Sequence, residues 1–218
     1  MSKIELVIFD MDGLMFNTEV LTIRAWKETG KLYNYSISNE FLLGLLGMNK
    51  KSIQAQFEKC FGDDFSFDFM YSEQGKCINK IIDTEGLGIK KGLNELLSYL
   101  TENKIKKAVA TSSSRERAEN LLSIAGVLDK YDEVICGDEV TKSKPDPEIF
   151  LTACKKSKVH PDNAIVLEDS ERGLEAAVAA KIRCVLIPDL VEPSKNHVKL
   201  AYSKVISLMD VISLKNLL

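Results

Sequence analysis

The sequence predicts an α/β protein, in which a parallel sheet carries helices on both faces and a helical module is inserted. Two observations predict the sheet: an apolar run at the start of the chain, and a later alternation of strand-like and helix-like segments. Such alternation is typical of parallel sheets whose crossover helices cover both faces. The third observation is that the alternation stops between residues 16 and 88, which indicates the insertion.

The first predicted strand is the apolar run from Ile4 to Phe9, which ends in Asp10 and Asp12. A buried parallel strand reads as a continuous apolar run, and ligands of open α/β sheets bind beyond the carboxyl ends of the strands. Two acids at such a place are costly for stability, which favours a chemical role. A strand followed by a solvated acidic turn is the alternative that these ten residues leave open.

The alternation is clear in two later regions. Leu93, Leu96, Leu97 and Leu100 form a helical stripe, and Ala108–Ala110 reads as a strand before Thr111–Ser114. The next predicted helix carries Ala118, Leu121, Leu122 and Ala125 on one face, and Gly126 ends it.

In the second region, the strand Ala164–Leu167 ends in Glu168 and Asp169. An alanine-rich helix over 171–181 follows, and then a strand over 184–187 that Pro188 stops. This order predicts a core made of residues 1–15 and 89–218.

The segment 16–88 is predicted to be a separate helical module that lies after the first strand. It has few β-branched runs, and its apolar residues recur at helical spacing. Two such stripes are Phe41, Leu42, Leu45 and Leu46, and Ile53, Phe57, Cys60 and Phe61. A helical extension of a single core is the alternative.

Composition is that of a soluble globular protein. The chain has 218 residues, 45% of them hydrophobic and 28% charged, and a formal net charge of −3. This balance argues against nucleic-acid and anionic-membrane partners. We find no apolar run long enough to span a bilayer and no signal-peptide pattern, so a cytoplasmic location is expected.

The cysteines and histidines do not suggest a catalytic or zinc site. The five cysteines are scattered, without a CxxC pair, and are expected to be core thiols in a reducing compartment. His160 and His197 both stand in polar, loop-like contexts and are expected at the surface.

Polar groups follow three predicted strands, and these strand ends share one edge of a parallel sheet. They are Asp10 and Asp12, Thr111 and Ser112, and Glu168 and Asp169. Four carboxylates at one edge repel one another unless a cation is present. Because Mg²⁺ prefers a few carboxylates together with substrate phosphate, the sequence predicts a Mg²⁺ site here.

Two further segments supply positive or hydrogen-bond-donating groups. The run Thr111–Ser114 opens a helix, whose hydroxyl and N–H groups suit an anion, although Ser113 with Glu116 also fits a capping box. Asp146 and Pro147 are predicted to begin a helix, which leaves Lys144 just before a rigid turn. Beside a metal and a phosphate, a fixed ammonium completes the charge balance, whereas an ordinary loop lysine is solvated.

These residues resemble four motifs of the haloacid dehalogenase superfamily, in the branch with a helical cap after the first strand. The resemblance covers nearly the whole chain and implies a Rossmann-like core with a cap domain. The motifs occur in order as Asp10-Met11-Asp12-Gly13, Thr111, Lys144 in Lys-Pro-Asp-Pro, and Glu168-Asp169-Ser170 with Gly173.

The resemblance implies a catalytic role for four residues. Asp10 would attack phosphorus and form an aspartyl-phosphate, and Asp12 would protonate the leaving oxygen and then activate water. Thr111 and Lys144 would hold the phosphoryl oxygens, with Ser112 beside them. An aspartate at position 12 also disfavours dehalogenation, since dehalogenases of the superfamily typically lack it.

The resemblance implies a Mg²⁺ site as well. Asp10, the backbone carbonyl of Asp12 and Asp169 would bind the ion, and Glu168 would assist.

The segment 46–50, Leu-Gly-Met-Asn-Lys, resembles the substrate-reading loop of the β-phosphoglucomutase-like group. Gly47 and Lys50 are therefore candidate substrate-binding residues, although Lys50 replaces an arginine and Thr22 a histidine of that mutase. A solvated helix-end lysine is the alternative for Lys50. Asn17 stands where relatives commonly have aspartate. Arg115 either contacts substrate or pairs with an acid on its own helix.

The sequence thus predicts a Mg²⁺-dependent phosphatase for a small phosphorylated metabolite, either a sugar phosphate or a nucleotide-related monophosphate, acting as a monomer. Three alternatives remain. The first is a sugar phosphomutase, against which the changes at Lys50 and Thr22 argue. The second is a phosphonate hydrolase that forms a Schiff base on Lys50 or Lys51. The third is a non-catalytic sensor that binds a phosphometabolite.

Overall fold

The computed structural model describes residues 3–62 and 64–214. The chain divides into two compact units. The first, here called the core, comprises the residues up to Phe16 and from Ile89 onward, and the second, here called the cap, comprises Asn17–Gly88. The predicted limits of the core at Met1 and Leu218 lie outside the described residues.

In the described part of the core, six strands form one parallel sheet, as the sequence predicts. Its order is β3-β2-β1-β4-β5-β6. The strands are β1 (Leu6–Phe9), β2 (Lys106–Ala110), β3 (Glu133–Ile135), β4 (Ala164–Glu168), β5 (Arg183–Leu186) and β6 (Ser203–Lys204). Phe9 of β1 pairs with Val109 of β2 and with Leu167 of β4, so the segments that follow these three central strands leave the sheet side by side.

The cap contains four helices among its described residues: α1 (Thr18–Leu32), α2 (Asn39–Leu43), α3 (Lys50–Phe61) and α4 (Phe67–Glu85). They enclose an aromatic cluster in which the rings of Trp26 and Phe57 lie 4.3 Å apart. Phe57 is fully buried, whereas Cys60, three residues later, is exposed. The predicted core position of Cys60 is therefore wrong, because the face of α3 that packs on the cluster follows the i, i+4 spacing of the buried Phe57 and the partly buried Ile53 and Phe61.

Six α-helices lie in the described part of the core. They are α5 (Leu93–Glu102), α6 (Arg115–Ile124), α7 (Glu148–Ser157), α8 (Glu171–Ala179), α9 (Lys195–Val198) and α10 (Leu208–Ile212). The four leucines of the predicted stripe on α5 are all buried. One hydrophobic cluster joins the sheet to α7 and α8, for example through Phe150 and Leu174.

Two helix boundaries differ from the prediction. Asp146 is not the N-cap residue of α7; Pro147 is, and the Asp146 carboxylate accepts the N–H of Glu148 at 3.0 Å. The helix α8 ends at Ala179 rather than at Lys181, because Lys181 has a φ of 60°, in the left-handed region.

Three of the cysteines, Cys136, Cys154 and Cys184, are buried core thiols as predicted, whereas Cys77 is only partly buried. Among the described residues, every helix is too short or too polar to cross a membrane.

Candidate active site

The polar side chains at the strand ends are brought together by the register of the sheet. Asp10 follows β1 and donates its N–H to the carbonyl of Leu167 at 3.0 Å, while Thr111 follows β2 and donates to Ile135 at 3.0 Å. The backbone hydrogen bonds between parallel strands thus continue one residue past β1 and β2. Asp169 comes directly after β4, which is the neighbour of β1. The structure therefore places these three residues on adjacent strands of one sheet edge.

A buried ion cluster lies at this edge. The Lys144 Nζ atom lies 2.5 Å from Asp10 Oδ1, 2.6 Å from Glu168 Oε1 and 3.1 Å from the carbonyl oxygen of Ala110. Its side chain is only 3% exposed. The three donors of the ammonium are all used, as a buried charge requires.

The cluster of Asp10, Lys144 and Glu168 holds more acid than base. The pKa of Asp10 is raised to about 7, chiefly by burial; Lys144 opposes this rise, and the negative charge of Glu168 adds to it. For Lys144, burial lowers the pKa, but the two carboxylates outweigh burial and the net pKa is raised. The lysine therefore remains an ammonium at neutral pH, and the excess negative charge suits a divalent cation.

Glu168 is held by the turn that follows it. Its Oε2 atom accepts the N–H groups of Asp169 and Ser170, both at 3.0 Å, and the Ser170 hydroxyl at 2.9 Å. Ser170 is also the N-cap residue of α8 and accepts the N–H of Gly173. The start of α8 thus fixes the carboxylate that faces Lys144.

The acidic residues at this edge fit a hard cation. Asp10, Glu168 and Asp169 each offer a carboxylate oxygen, and these oxygens lie within 4.8 Å of one another. All three residues are buried, and oxygen donors of this kind suit Mg²⁺. Among the described residues, the Asp12 carboxylate is not part of this group of three.

Asp12 instead contacts the start of α6. Its Oδ2 atom accepts the Ser113 hydroxyl at 2.8 Å, and its Oδ1 atom accepts Arg117 Nη2 at 3.0 Å. Ser113 does not cap α6, so the predicted capping box of Ser113 with Glu116 is wrong. Ser114 is the N-cap residue and accepts the N–H of Arg117. Sequence reasoning missed Arg117, and helical spacing gave no signal for it, because Ser113 lies outside the helix that carries Arg117.

The loop after β2 is tightly held. Thr111 is 1% exposed, and its hydroxyl accepts the N–H of Ser113 at 3.1 Å. Gly137 packs against Ser112, since a Cβ atom at Gly137 would lie 2.3 Å from the carbonyl oxygen of Ser112. The loop that carries Thr111 and Ser112 therefore has a defined backbone course.

The guanidinium of Arg115 is engaged by the core. It contacts Glu119 at 2.8 Å, Glu139 at 2.7 Å and the carbonyl oxygen of Val134 at 2.6 Å. Pairing with an acid on its own helix, one of the two readings of the sequence, describes the contact with Glu119. A contact of Arg115 with substrate stays a prediction.

The remaining candidates lie in the cap. Gly47 has a φ of 71°, which favours glycine, and Lys50 begins α3. The Lys50 Nζ atom lies 2.7 Å from Asp68 Oδ1 and 5.1 Å from the centre of the Tyr71 ring. Asn17 donates its backbone N–H to Gly88 at 2.8 Å, so the two ends of the cap segment meet there.

We expect Gly173→Ala to disturb the ion cluster, because a Cβ atom at this position would lie 1.8 Å from Glu168 Oε1. The crowding should lower the free energy of unfolding by about 1–3 kcal/mol. It should also weaken Mg²⁺ binding, measured by titration calorimetry. Gly75→Ala in α4 is the control, since nothing lies within 4 Å of its Cβ position, and a helical alanine there should stabilise by up to about 1 kcal/mol. Unchanged metal binding in Gly173→Ala would contradict the described position of Glu168.

The chain has a clear family relationship. A family model described as haloacid dehalogenase-like hydrolase matches residues 7–187. Two curated relatives are phosphatases. A validoxylamine A 7′-phosphate phosphatase from Streptomyces hygroscopicus subsp. limoneus is 32% identical and covers 83% of this chain and 84% of its own length. A phosphorylated carbohydrates phosphatase from Thermotoga maritima is 33% identical, with 82% of each chain covered.

Solved structures show the same architecture. CbbY from Rhodobacter sphaeroides, determined in complex with phosphate, superposes with a TM-score of 0.83 at 26% identity and covers 95% of this chain and 96% of its own. A β-phosphoglucomutase from Clostridium difficile superposes with a TM-score of 0.81 at 26% identity, with 95% and 93% covered. Because the family model spans far more than half of the sequence, the chain belongs to the haloacid dehalogenase-like hydrolases.

Proposed function

We propose that this hydrolase is a Mg²⁺-dependent phosphatase that cleaves a small phosphorylated metabolite through an aspartyl-phosphate on Asp10. The observation that carries the proposal is the buried cluster in which Lys144 bridges Asp10 and Glu168 next to Asp169. A buried carboxylate with a fixed ammonium beside it is suited to attack an anionic phosphoryl group. The two phosphatase relatives support the same reaction class.

In the first half of the reaction, a carboxylate oxygen of Asp10 forms a bond to phosphorus while the bond from phosphorus to the ester oxygen breaks. Asp12 gives its proton to the leaving oxygen, so the product departs as an alcohol. The Lys144 ammonium and the Thr111 and Ser112 groups balance the negative charge of the phosphoryl oxygens.

In the second half, water attacks phosphorus and the bond from phosphorus to Asp10 breaks. Asp12, now ionised, takes a proton from the water as its oxygen bonds to phosphorus. Inorganic phosphate forms, and both aspartates return to their initial states.

Asp10, Asp169 and Glu168 would hold Mg²⁺, together with the backbone carbonyl of Asp12. The bound ion would supply charge that offsets the phosphoryl oxygens. Lys144 then has a separate task, since its contacts with Asp10 and Glu168 keep both carboxylates oriented.

We propose a sugar phosphate or a nucleotide-related monophosphate as the substrate. One of the two relatives is named for phosphorylated carbohydrates and the other for validoxylamine A 7′-phosphate. The cap residues Gly47 and Lys50 would contribute to the choice of substrate, as would Arg115 in the core.

Lys50→Ala is expected to raise KM about 5- to 20-fold for substrates with a second anionic group, because one ion pair is lost, and to leave kcat nearly unchanged. Lys51→Ala is the matched control. It removes the same charge from the next residue of α3 and should change KM less than twofold. Steady-state kinetics on a mono- and a bisphosphorylated sugar make the comparison. Equal effects of the two variants would exclude a specific role of Lys50.

Mg²⁺ binding should weaken as the pH falls. The pKa of Asp10 in the metal-free protein is raised to about 7, so the proton and the cation compete for its carboxylate near neutral pH. Between pH 8 and pH 6 the dissociation constant for Mg²⁺ is expected to rise about tenfold, and binding at pH 7 should release protons into the buffer. Calorimetry in buffers of different ionisation enthalpy measures both. In Asp10→Asn the same titration should be weak and independent of pH; a pH dependence that persists there would assign it to another group.

The proposed function is tested by phosphate release from a panel of phosphorylated metabolites, with and without Mg²⁺, and with Asp10→Asn in parallel. Release that needs the metal and vanishes in the variant supports a phosphatase. Silence of a folded wild-type protein across the panel would contradict it.

A mutase is the second candidate, because a β-phosphoglucomutase shares the fold over nearly the whole chain. Stimulation of isomerisation by a sugar bisphosphate, without net phosphate release, would identify it. If the bisphosphate has no effect and one phosphorylated ligand is bound tightly, the protein is a sensor.

A further inference from the structure

The contact between Asp12 and α6 has a consequence for catalysis. Both carboxylate oxygens of Asp12 accept a hydrogen bond from a side chain of α6 or of the residue just before its cap: Ser113 on Oδ2 at 2.8 Å and Arg117 on Oδ1 at 3.0 Å. Each oxygen of the Asp12 carboxylate therefore has its own hydrogen-bond donor. All three residues belong to the core, so the arrangement is part of one compact unit.

The position of Arg117 is set by the helix. Ser114 caps α6 by accepting the N–H of Arg117, so Arg117 stands in the first turn, one turn beyond Ser113. Ser113 lies just before the cap residue, so its hydroxyl and the Arg117 guanidinium approach the Asp12 carboxylate from the same end of α6. The start of α6, from Ser113 to Arg117, therefore supplies one hydrogen-bond donor to each carboxylate oxygen of Asp12.

The Asp12 carboxylate needs a positive charge nearby because other acidic residues surround it. Asp12 stands two residues from Asp10, and Glu168 and Asp169 lie at the same edge of the sheet. Without a cation of its own, the Asp12 carboxylate would be repelled by these acids. The Arg117 guanidinium supplies that charge on the α6 side, while Lys144 is committed to Asp10 and Glu168.

We propose that Arg117 is a positioning residue that orients Asp12 for proton transfer to the leaving oxygen. This inference rests on the proposed phosphatase function. Arg117 acts through Asp12 and not as a ligand of the phosphoryl group. A displacement of about 1 Å in a proton-transfer group costs roughly 10²-fold in the step that it serves.

The pair is suited to mutation, because it contributes little to folding. The side chains of Arg117 and Asp12 are each 28% exposed, and a partly exposed ion pair is worth about 1 kcal/mol or less. Arg117→Ala should therefore fold, which thermal unfolding verifies.

The test compares two kinds of leaving group at saturating Mg²⁺. An alkyl phosphate such as a hexose 6-phosphate needs a proton on its leaving oxygen, whereas p-nitrophenyl phosphate does not. Arg117→Ala should lower kcat/KM for the alkyl phosphate roughly 10- to 100-fold and for the aryl phosphate less than threefold. The parameter is kcat/KM because it reports the steps up to the aspartyl-phosphate, whose hydrolysis is common to both substrates.

Three further variants sharpen the test. Arg117→Lys keeps the charge and should recover part of the loss. Asp12→Ala should discriminate between leaving groups in the same way, and the double variant Arg117→Ala/Asp12→Ala should be no worse than Asp12→Ala alone. Arg183→Ala, at the amino end of β5 and thus at the opposite edge of the sheet, is the matched control and should affect neither substrate.

Each outcome separates this inference from the function on which it rests. Wild-type protein that hydrolyses neither ester contradicts the phosphatase itself. If the wild-type protein is active but Arg117→Ala loses activity equally on both esters, or on neither, the role of Arg117 is overturned. The phosphatase function then still stands. Additive losses in the double variant would likewise show that Arg117 does not act through Asp12.

Discussion

Asp10→Asn is expected to lower phosphatase turnover by at least about 10⁴-fold, as removal of a nucleophile does in other enzymes with covalent intermediates. The amide keeps the size of the side chain and can still occupy the site beside Lys144. It cannot form the bond to phosphorus that the proposed first step requires. The loss should therefore appear in kcat and should persist at every Mg²⁺ concentration.

The same substitution should not destabilise the metal-free protein. Asp10 and Glu168 share one lysine in a buried site, and burial already disfavours the ionised form of Asp10. A neutral amide removes that conflict, so the melting temperature in chelator should stay level or rise. The opposite signs for turnover and stability exclude unfolding as the cause of inactivity.

Asp129→Asn is the control for this pair of measurements, because Asp129 is an exposed acid of the core outside the active site. It should change neither turnover nor stability. A rapid acid quench followed by peptide mass spectrometry should find a phosphoryl group on the wild-type peptide that contains Asp10. Full turnover in Asp10→Asn, or a phosphoryl group on another residue, would contradict the assignment of the nucleophile.

The sequence predicted β1, β2, β4 and β5, because each of them contains a short apolar run. It did not predict β3 and β6, which are only three and two residues long and contain Glu133, Ser203 and Lys204. Each of the three central strands is followed by a polar residue, and the rule that parallel strands share their carboxyl edge placed Asp10, Thr111 and Asp169 together. The observed register confirms that these residues follow adjacent strands. The predicted parallel sheet and helical cap are both present in the structure.

Details that depend on side-chain competition were not predictable in the same way. Ser113 and Ser114 are both good capping residues, and only the position of Asp12 in three dimensions decides that Ser113 bonds to the carboxylate while Ser114 caps α6. Arg115 and Arg117 are equally plausible from the sequence. The first is engaged by Glu119 and Glu139, and the second is the one that reaches Asp12.

The second large effect is expected for Lys144→Met. The substitution keeps an unbranched side chain but leaves the carboxylates of Asp10 and Glu168 buried without their cation. Removing one partner of a buried ion pair costs about 3–5 kcal/mol, so the free energy of unfolding in chelator should fall by that amount. Denaturant unfolding followed by circular dichroism measures it.

Lys142→Met is the matched control, since it removes a lysine from the same loop two residues earlier. The Lys142 side chain is 72% exposed, against 3% for Lys144. Its loss should change the free energy of unfolding by less than about 0.5 kcal/mol. An equal effect of the two variants would show that the buried cluster does not form in solution.

Divalent metal and a second substitution separate the role of Lys144 in stability from its role in catalysis. Because Mg²⁺ places positive charge among the same acids, it should stabilise Lys144→Met by more than it stabilises the wild-type protein. The double variant Lys144→Met/Asp10→Asn should also regain stability, since one of the two unpaired carboxylates becomes neutral.

Neither rescue should restore catalysis. At saturating Mg²⁺, Lys144→Met should still turn over roughly 10²- to 10³-fold more slowly, because the transition state lacks a fixed ammonium beside the phosphoryl oxygens. Turnover that recovers together with stability would instead limit Lys144 to holding the fold.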